Sequence, residues 1–119
     1  MTKHVKIPVT LWQGQYGEQI RQLELHTRYL ALYLMTSPAI NMVGVYRLPF
    51  EQIAKDTGLS VHVIGKAMAE LERAGICRYE EKYQCVWVCD FLEWQLMPDE
   101  YDPGLVQQAA KELKQAPFG

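Results

Sequence analysis

Residues 50–75 constrain this chain more than any other stretch. Phe50, Ile53 and Ala54 recur with helical spacing through Thr57. Gly58 follows, at a position where a left-handed residue ends a helix. Ser60 then offers an N-cap for another helix. Val61, Ile64, Met68 and Leu71 fall at i, i+3, i+7 and i+10, which predicts the buried stripe of that second helix. Gly75 closes it. Two helices joined by so short a glycine-containing turn form a helix-turn-helix.

The flanks fit around that unit. Residues 15–23 predict a short helix around Ile20 and Leu23. Residues 25–35 predict another, with Leu25, Tyr29, Leu30, Leu32, Tyr33, Leu34 and Met35. Apolar residues cover most of that second helix, so it is expected to be central. Ser37-Pro38 stops it, because proline disfavours helix in the residue before it. Val43 to Tyr46 is a short β-type run, and Pro49 suits a first helical position. After Gly75, Ile76–Tyr79 and Gln84–Cys89 read as strands around the turn Glu80-Glu81-Lys82-Tyr83. Cys85, Trp87 and Cys89 share one face of the second strand, and Val86 and Val88 share the other. Both faces are apolar and both are expected to be covered. Trp12, Trp87 and Trp94 are expected in or beside the core, with at most one exposed.

A turn-prone segment, Met97 to Pro103, precedes a last amphipathic helix over 103–115. Leu105, Val106, Ala109, Ala110 and Leu113 lie on one side of it. Its short linker favours docking on its own domain. A hairpin directly after a helix-turn-helix makes a winged helix. The expected fold class is therefore α+β, mainly α: a winged helix-turn-helix with a C-terminal two-stranded wing and an extra C-terminal helix. Residues 1–96 form the domain, and 97–119 the linker and amphipathic helix.

Composition narrows the function. About half of the 119 residues are apolar (49%), enough for one modest core. No stretch approaches the roughly 20 apolar residues of a membrane helix. The N-terminus lacks the apolar core of a secretory signal, so a cytoplasmic location is expected. Cys77, Cys85 and Cys89 are an odd set without framework spacing, which disfavours a disulfide scaffold. Cys85-x-x-x-Cys89 has no nearby histidine to complete a zinc site, so no metal and no cofactor are expected. The histidines His4, His26 and His62 are scattered, and no phosphate loop or nucleophile motif is present. No enzyme and no small-molecule substrate are expected. The net charge of −2 does not advertise a nucleic-acid binder. Its distribution is uneven: residues 1–66 carry 7 Lys/Arg against 4 Asp/Glu, and residues 67–119 carry 5 against 10. One part of the chain is suited to a phosphate backbone and the other would repel it.

On the second helix of the motif, the face opposite the core stripe is His62, Lys66, Ala69 and Arg73. A helix lying in a major groove presents such a line. Lys66 and Arg73 suit phosphate or guanine, and His62 lies near the end where base contacts concentrate. A merely solvated face has the same composition, and Glu70 beside the line weakens the DNA reading. Arg47 and Lys55 flank the first helix of the motif, where backbone contacts occur. Lys82 lies at the tip of the wing, beside two glutamates. Lys3, His4 and Lys6 are expected to be a frayed terminus rather than a DNA-binding arm.

The run from Met35 to Pro49, Met-Thr-Ser-Pro-Ala-Ile-Asn-Met-Val-Gly-Val-Tyr-Arg-Leu-Pro, resembles a stretch of phage replication-initiation proteins. These are the replisome organisers and DnaD-like primosomal proteins. Ile53-Ala54-Lys55-Asp56-Thr57-Gly58, Glu70-Leu71-Glu72-Arg73-Ala74-Gly75 and Val86-Trp87-Val88 extend the likeness over about residues 12–95. The chain departs from the family pattern at Glu24-Leu25, where a Ser-Pro cap is usual, and at Glu80 and Glu81 in the wing. The resemblance implies an N-terminal winged-helix domain that binds double-stranded DNA in phage or prophage replication. It also implies self-association or a host replication protein as possible partners. The alternative expectation is a protein-interaction or oligomerisation module that does not bind DNA, for which the acidic segment from Glu70 to Asp102 would suit a basic partner.

Overall fold

The computed structural model describes residues 4–96 and 103–114, with backbone alone at 103–106 and 109. A 3-10 turn at Val9–Trp12 leads into α1 (Gly14–Arg21) and α2 (Leu25–Thr36). The strand β1 (Val45–Arg47), the helices α3 (Phe50–Thr57) and α4 (Val61–Arg73), and the hairpin β2 (Cys77–Glu80) and β3 (Cys85–Val88) follow. The last elements are α5 (Phe91–Gln95) and α6 (Pro103–Lys114). The fold is α+β and mainly helical, with one small antiparallel sheet in the order β1-β3-β2.

Local chemistry sets the joints. Gly58 takes φ +80° and its N–H donates to the Ala54 carbonyl, so α3 ends in the left-handed turn that glycine accepts without strain. Ser60 Oγ accepts from the Val63 N–H at 3.1 Å and starts α4. Pro49 is the N-cap of α3, one residue before the helical position expected for it. Glu24 replaces the usual cap of α2, its carboxylate accepting from the His26 N–H.

The resemblance motif around Met35–Pro49 proves to be structural. Tyr46 is buried, and its hydroxyl donates to the Leu34 carbonyl at 2.6 Å while accepting from Ser37 Oγ at 3.0 Å. This satisfies an orphan carbonyl at the end of α2. Asn41 Oδ1 accepts from the N–H groups of Gly44 and Val45, and its Nδ2 donates to the Val45 carbonyl. That side chain therefore folds the turn that delivers β1. Tyr46→Phe should cost about 1–3 kcal/mol, because a buried carbonyl and hydroxyl lose their partner. Thermal or chemical unfolding of the two proteins side by side measures it.

The core lies between α1–α4 and the inner face of the sheet. From α4 it takes Ile64, Ala67, Met68 and Leu71, and from the sheet Tyr46, Cys77, Val86 and Val88. Phe91, the first residue of α5, is fully buried among them. Gln95 fixes the N-terminal segment by a two-way pairing: its Oε1 accepts from the Lys6 N–H and its Nε2 donates to the Lys6 carbonyl. The backbone of Lys6 is thus held, while residues 1–3, including Lys3, lie outside the described residues.

Four expectations are corrected. Val61 is half exposed and does not join the α4 stripe, and Ala67 takes its place. Side chains tilt toward a helix's N-terminus, so one at the first position points past the end of the helix rather than onto the core. On α2, Leu25, Tyr29 and Leu32 form an exposed apolar stripe, so this helix is covered on one side only. The outer face of β3 is partly open: Cys85 is buried but Trp87 is 42% exposed. Trp12 is exposed as well, so two tryptophans rather than at most one reach solvent. On α6, Leu113 is exposed, and Glu112 accepts from the backbone N–H groups of Met42 and Val43. A polar side chain of α6, braced by Gln108, therefore makes this contact with the domain. The side chains of Leu105, Val106 and Ala109, and the segment 97–102, lie outside the described residues. Among the described residues, no helix is long and apolar enough to cross a membrane.

Candidate nucleic-acid interface

The exposed face of α4 forms one wall of an open groove of about 590 Å³, and the N-terminus of α2 forms the other. His62, Lys66, Ala69 and Arg73 line the α4 side, and Glu24, His26 and Thr27 line the opposite wall. The 100° turn per residue puts these α4 positions in one row, about 180° from the Ile64–Leu71 core face.

Two carboxylates share the groove, and both are engaged with the protein. Glu70 Oε1 accepts from the buried Thr27 hydroxyl at 2.6 Å, and its Oε2 accepts from the Glu24 N–H at 3.3 Å. Glu70 thus caps α2 from across the helix pair. Glu24 is bound to the His26 N–H and to its ring Nδ1 at 2.9 Å. That contact between Glu24 and His26, an ion pair only when the imidazole is protonated, is the sole acid–base side-chain contact within 4 Å among the described residues. Lys66 and Arg73 therefore have no carboxylate within ion-pair distance among those residues. Their charges share the groove with the two carboxylates without pairing to them, and the acids are held by backbone and hydroxyl donors.

The other candidates lie elsewhere. Lys55 is exposed on α3, beside Asp56, whose carboxyl is held below its usual range by hydrogen bonds from Tyr33 and Gln52. The Tyr33 bond, at 2.6 Å, and that of the Tyr29 hydroxyl to the Thr57 carbonyl tie α2 to α3. Arg47 is at the hairpin end of β1, its Nη2 donating to Gln84 Oε1 at 3.0 Å. It lines a second groove of about 440 Å³ with Tyr33, Pro38 and the start of α3. Lys82 is in the hairpin turn with its ammonium 5.3 Å from the Tyr83 ring centre. The structure therefore brings His62, Lys66 and Arg73 together. Arg47, Lys55 and Lys82 lie outside the lining of the α4 groove.

Sequence reasoning missed the part played by α2. Thr27 lies 43 residues from Glu70 in the chain, and Glu24 lies 46 from it. The signal was Glu70 itself, an acid one position from a basic line and facing a helix that lacked an ordinary cap. The division of charge between the two parts of the chain is also undone by folding, since basic Arg73 and acidic Glu24 line the same groove.

Burial pushes the Cys77 thiol up to about 12, so it stays protonated, and it contacts Met68 Sδ. Burial also raises Cys85 and Cys89. Among the described residues, no His, Cys, Asp or Glu group is arranged to hold a metal ion. The chain matches no family model, no curated protein and no solved structure.

Proposed function

We propose that this chain is a winged-helix domain that binds double-stranded DNA, with α4 as the element that enters the major groove. The observation that carries this reading is the groove face of α4. Lys66 and Arg73 are exposed without carboxylate partners, and the neighbouring Glu70, though it lines the groove, is engaged as a cap of α2. A major groove about 12 Å wide admits one helix, and an exposed row of small, basic and imidazole side chains suits base edges and phosphates. Lys55 and Arg47 would anchor the backbone, and Lys82 would reach it from the hairpin acting as a wing. The setting of phage or prophage replication initiation rests on the resemblance of residues 12–95. The role is binding rather than catalysis.

Fluorescence-anisotropy titration of a labelled duplex at low and moderate salt tests the reading. Saturable binding that weakens with salt is expected. Absence of binding at micromolar protein and low salt would retire it.

The exposed Leu25, Tyr29 and Leu32 stripe on α2 favours a second reading, a protein-interaction or oligomerisation module. Light scattering without DNA separates the two: a mass that rises with concentration selects the second, and a monomer that gains mass only on duplex addition selects the first.

A further inference from the structure

The outer face of the sheet carries a separate arrangement of aromatic and basic groups. Trp87 sits on the central strand and is 42% exposed. The ladder register places Arg78 directly opposite it on one side and Val45 on the other. Arg47, opposite Cys85, shares this face two residues along β1. Side chains of paired residues point to the same face, so both arginines stand on the tryptophan's side of the sheet. Both are exposed, and neither has a carboxylate within ion-pair distance among the described residues. Two acids, Glu72 and Glu80, line the same cleft as Trp87 and Arg78. Glu80 is turned to the hairpin, accepting from the Lys82 N–H at 3.0 Å, and Glu72 stands on α4 at the far wall of this cleft of about 280 Å³.

We infer that this face binds an unpaired nucleotide strand, with one base stacked on Trp87 and the flanking phosphates held by Arg78 and Arg47. A flat indole with one cation beside it and a second diagonally across the sheet suits a base face joined to anionic backbone. Duplex DNA does not offer that face, because its bases are already stacked on each other. The backbones of the two arginines are about 12 Å apart, since they lie two strand spacings of roughly 4.8 Å apart and two residues offset along β3. They can therefore engage phosphates on either side of a stacked base. Trp87 and Arg78 lie outside the α4 groove, and stacking on them does not depend on that groove binding duplex, although Arg47 is shared with the duplex reading.

The test is anisotropy and intrinsic-fluorescence titration with a short labelled oligothymidylate at low salt. It compares the wild type with Trp87→Ala, Trp87→Phe, Arg78→Ala and Lys66→Glu/Arg73→Glu. The wild type is expected to bind with quenching of tryptophan emission. Trp87→Ala should weaken binding about tenfold, the scale of one lost base stack. Trp87→Phe should retain most of it. Arg78→Ala, an exposed change that leaves the core intact, should weaken it several-fold. The α4 reversal should leave it intact even where duplex binding is lost. Failure of the wild type to bind the oligothymidylate would overturn the inference. So would unchanged affinity in both Trp87→Ala and Arg78→Ala, or loss on α4 reversal alone, which would place single strands in the groove. Binding instead of an acidic peptide, with no oligothymidylate bound, would also overturn it.

Discussion

Lys66→Glu/Arg73→Glu is expected to lower duplex affinity by a hundredfold or more while leaving the protein folded. The two side chains are exposed and make no described ion pair, so their reversal costs the fold little. In a complex each would meet phosphate or a guanine edge. Loss of one such contact is worth about 1–3 kcal/mol, and reversal adds repulsion from the same phosphates. Two contacts then sum to on the order of 3 kcal/mol or more, and each 1.4 kcal/mol is tenfold. Duplex anisotropy measures the affinity, and unfolding curves measure the stability. A variant that stays folded and binds as tightly as the wild type would remove α4 as the DNA-contacting element.

Gly44→Ala is expected to destabilise the fold strongly. Gly44 takes φ +74°, where an L side chain costs about 1–2 kcal/mol. A Cβ there would lie 2.8 Å from Phe91 Cβ. Phe91 is fully buried and cannot withdraw without opening the core around it, which adds roughly 1–3 kcal/mol. The Gly44 N–H and carbonyl are also committed, to Asn41 and to the Val88 N–H, so the backbone cannot swing away cheaply. The combined loss of about 2–5 kcal/mol is a large share of a small domain's stability. Chemical unfolding measures it, and a loss below about 1 kcal/mol would contradict the packing described around Phe91.

These two predictions differ in how much of them the sequence carried. The bounds of α3 and α4 were legible because their signals are local. Gly58, Ser60, Gly75 and Ser37-Pro38 act on their own backbone within a few residues, and their observed positions match within one. The row His62, Lys66, Arg73 was equally legible, since helical geometry alone fixes it. What could not be read was everything that depends on a distant partner. The inward turn of Glu70 needs Thr27, and the burial of Phe91 needs Gly44. The short helix α5 has too few residues to show a period. Alternation placed Trp87 on a face of β3 but said nothing about whether another layer covers that face. For Val61 the period was right and the helix end overrode it.

The salt dependence of duplex binding tests the central claim most directly, measured for the wild type and for Lys66→Gln/Arg73→Gln. Each phosphate contact releases counterions and contributes a slope of about −0.9 in log affinity against log salt. If both side chains face phosphates, the variant's slope should be shallower by nearly 2. If one reads a base edge instead, the slope should change by about 1 while affinity still falls. Equal slopes and equal affinities for the two proteins would show that the duplex, if bound at all, is not held by the groove face of α4.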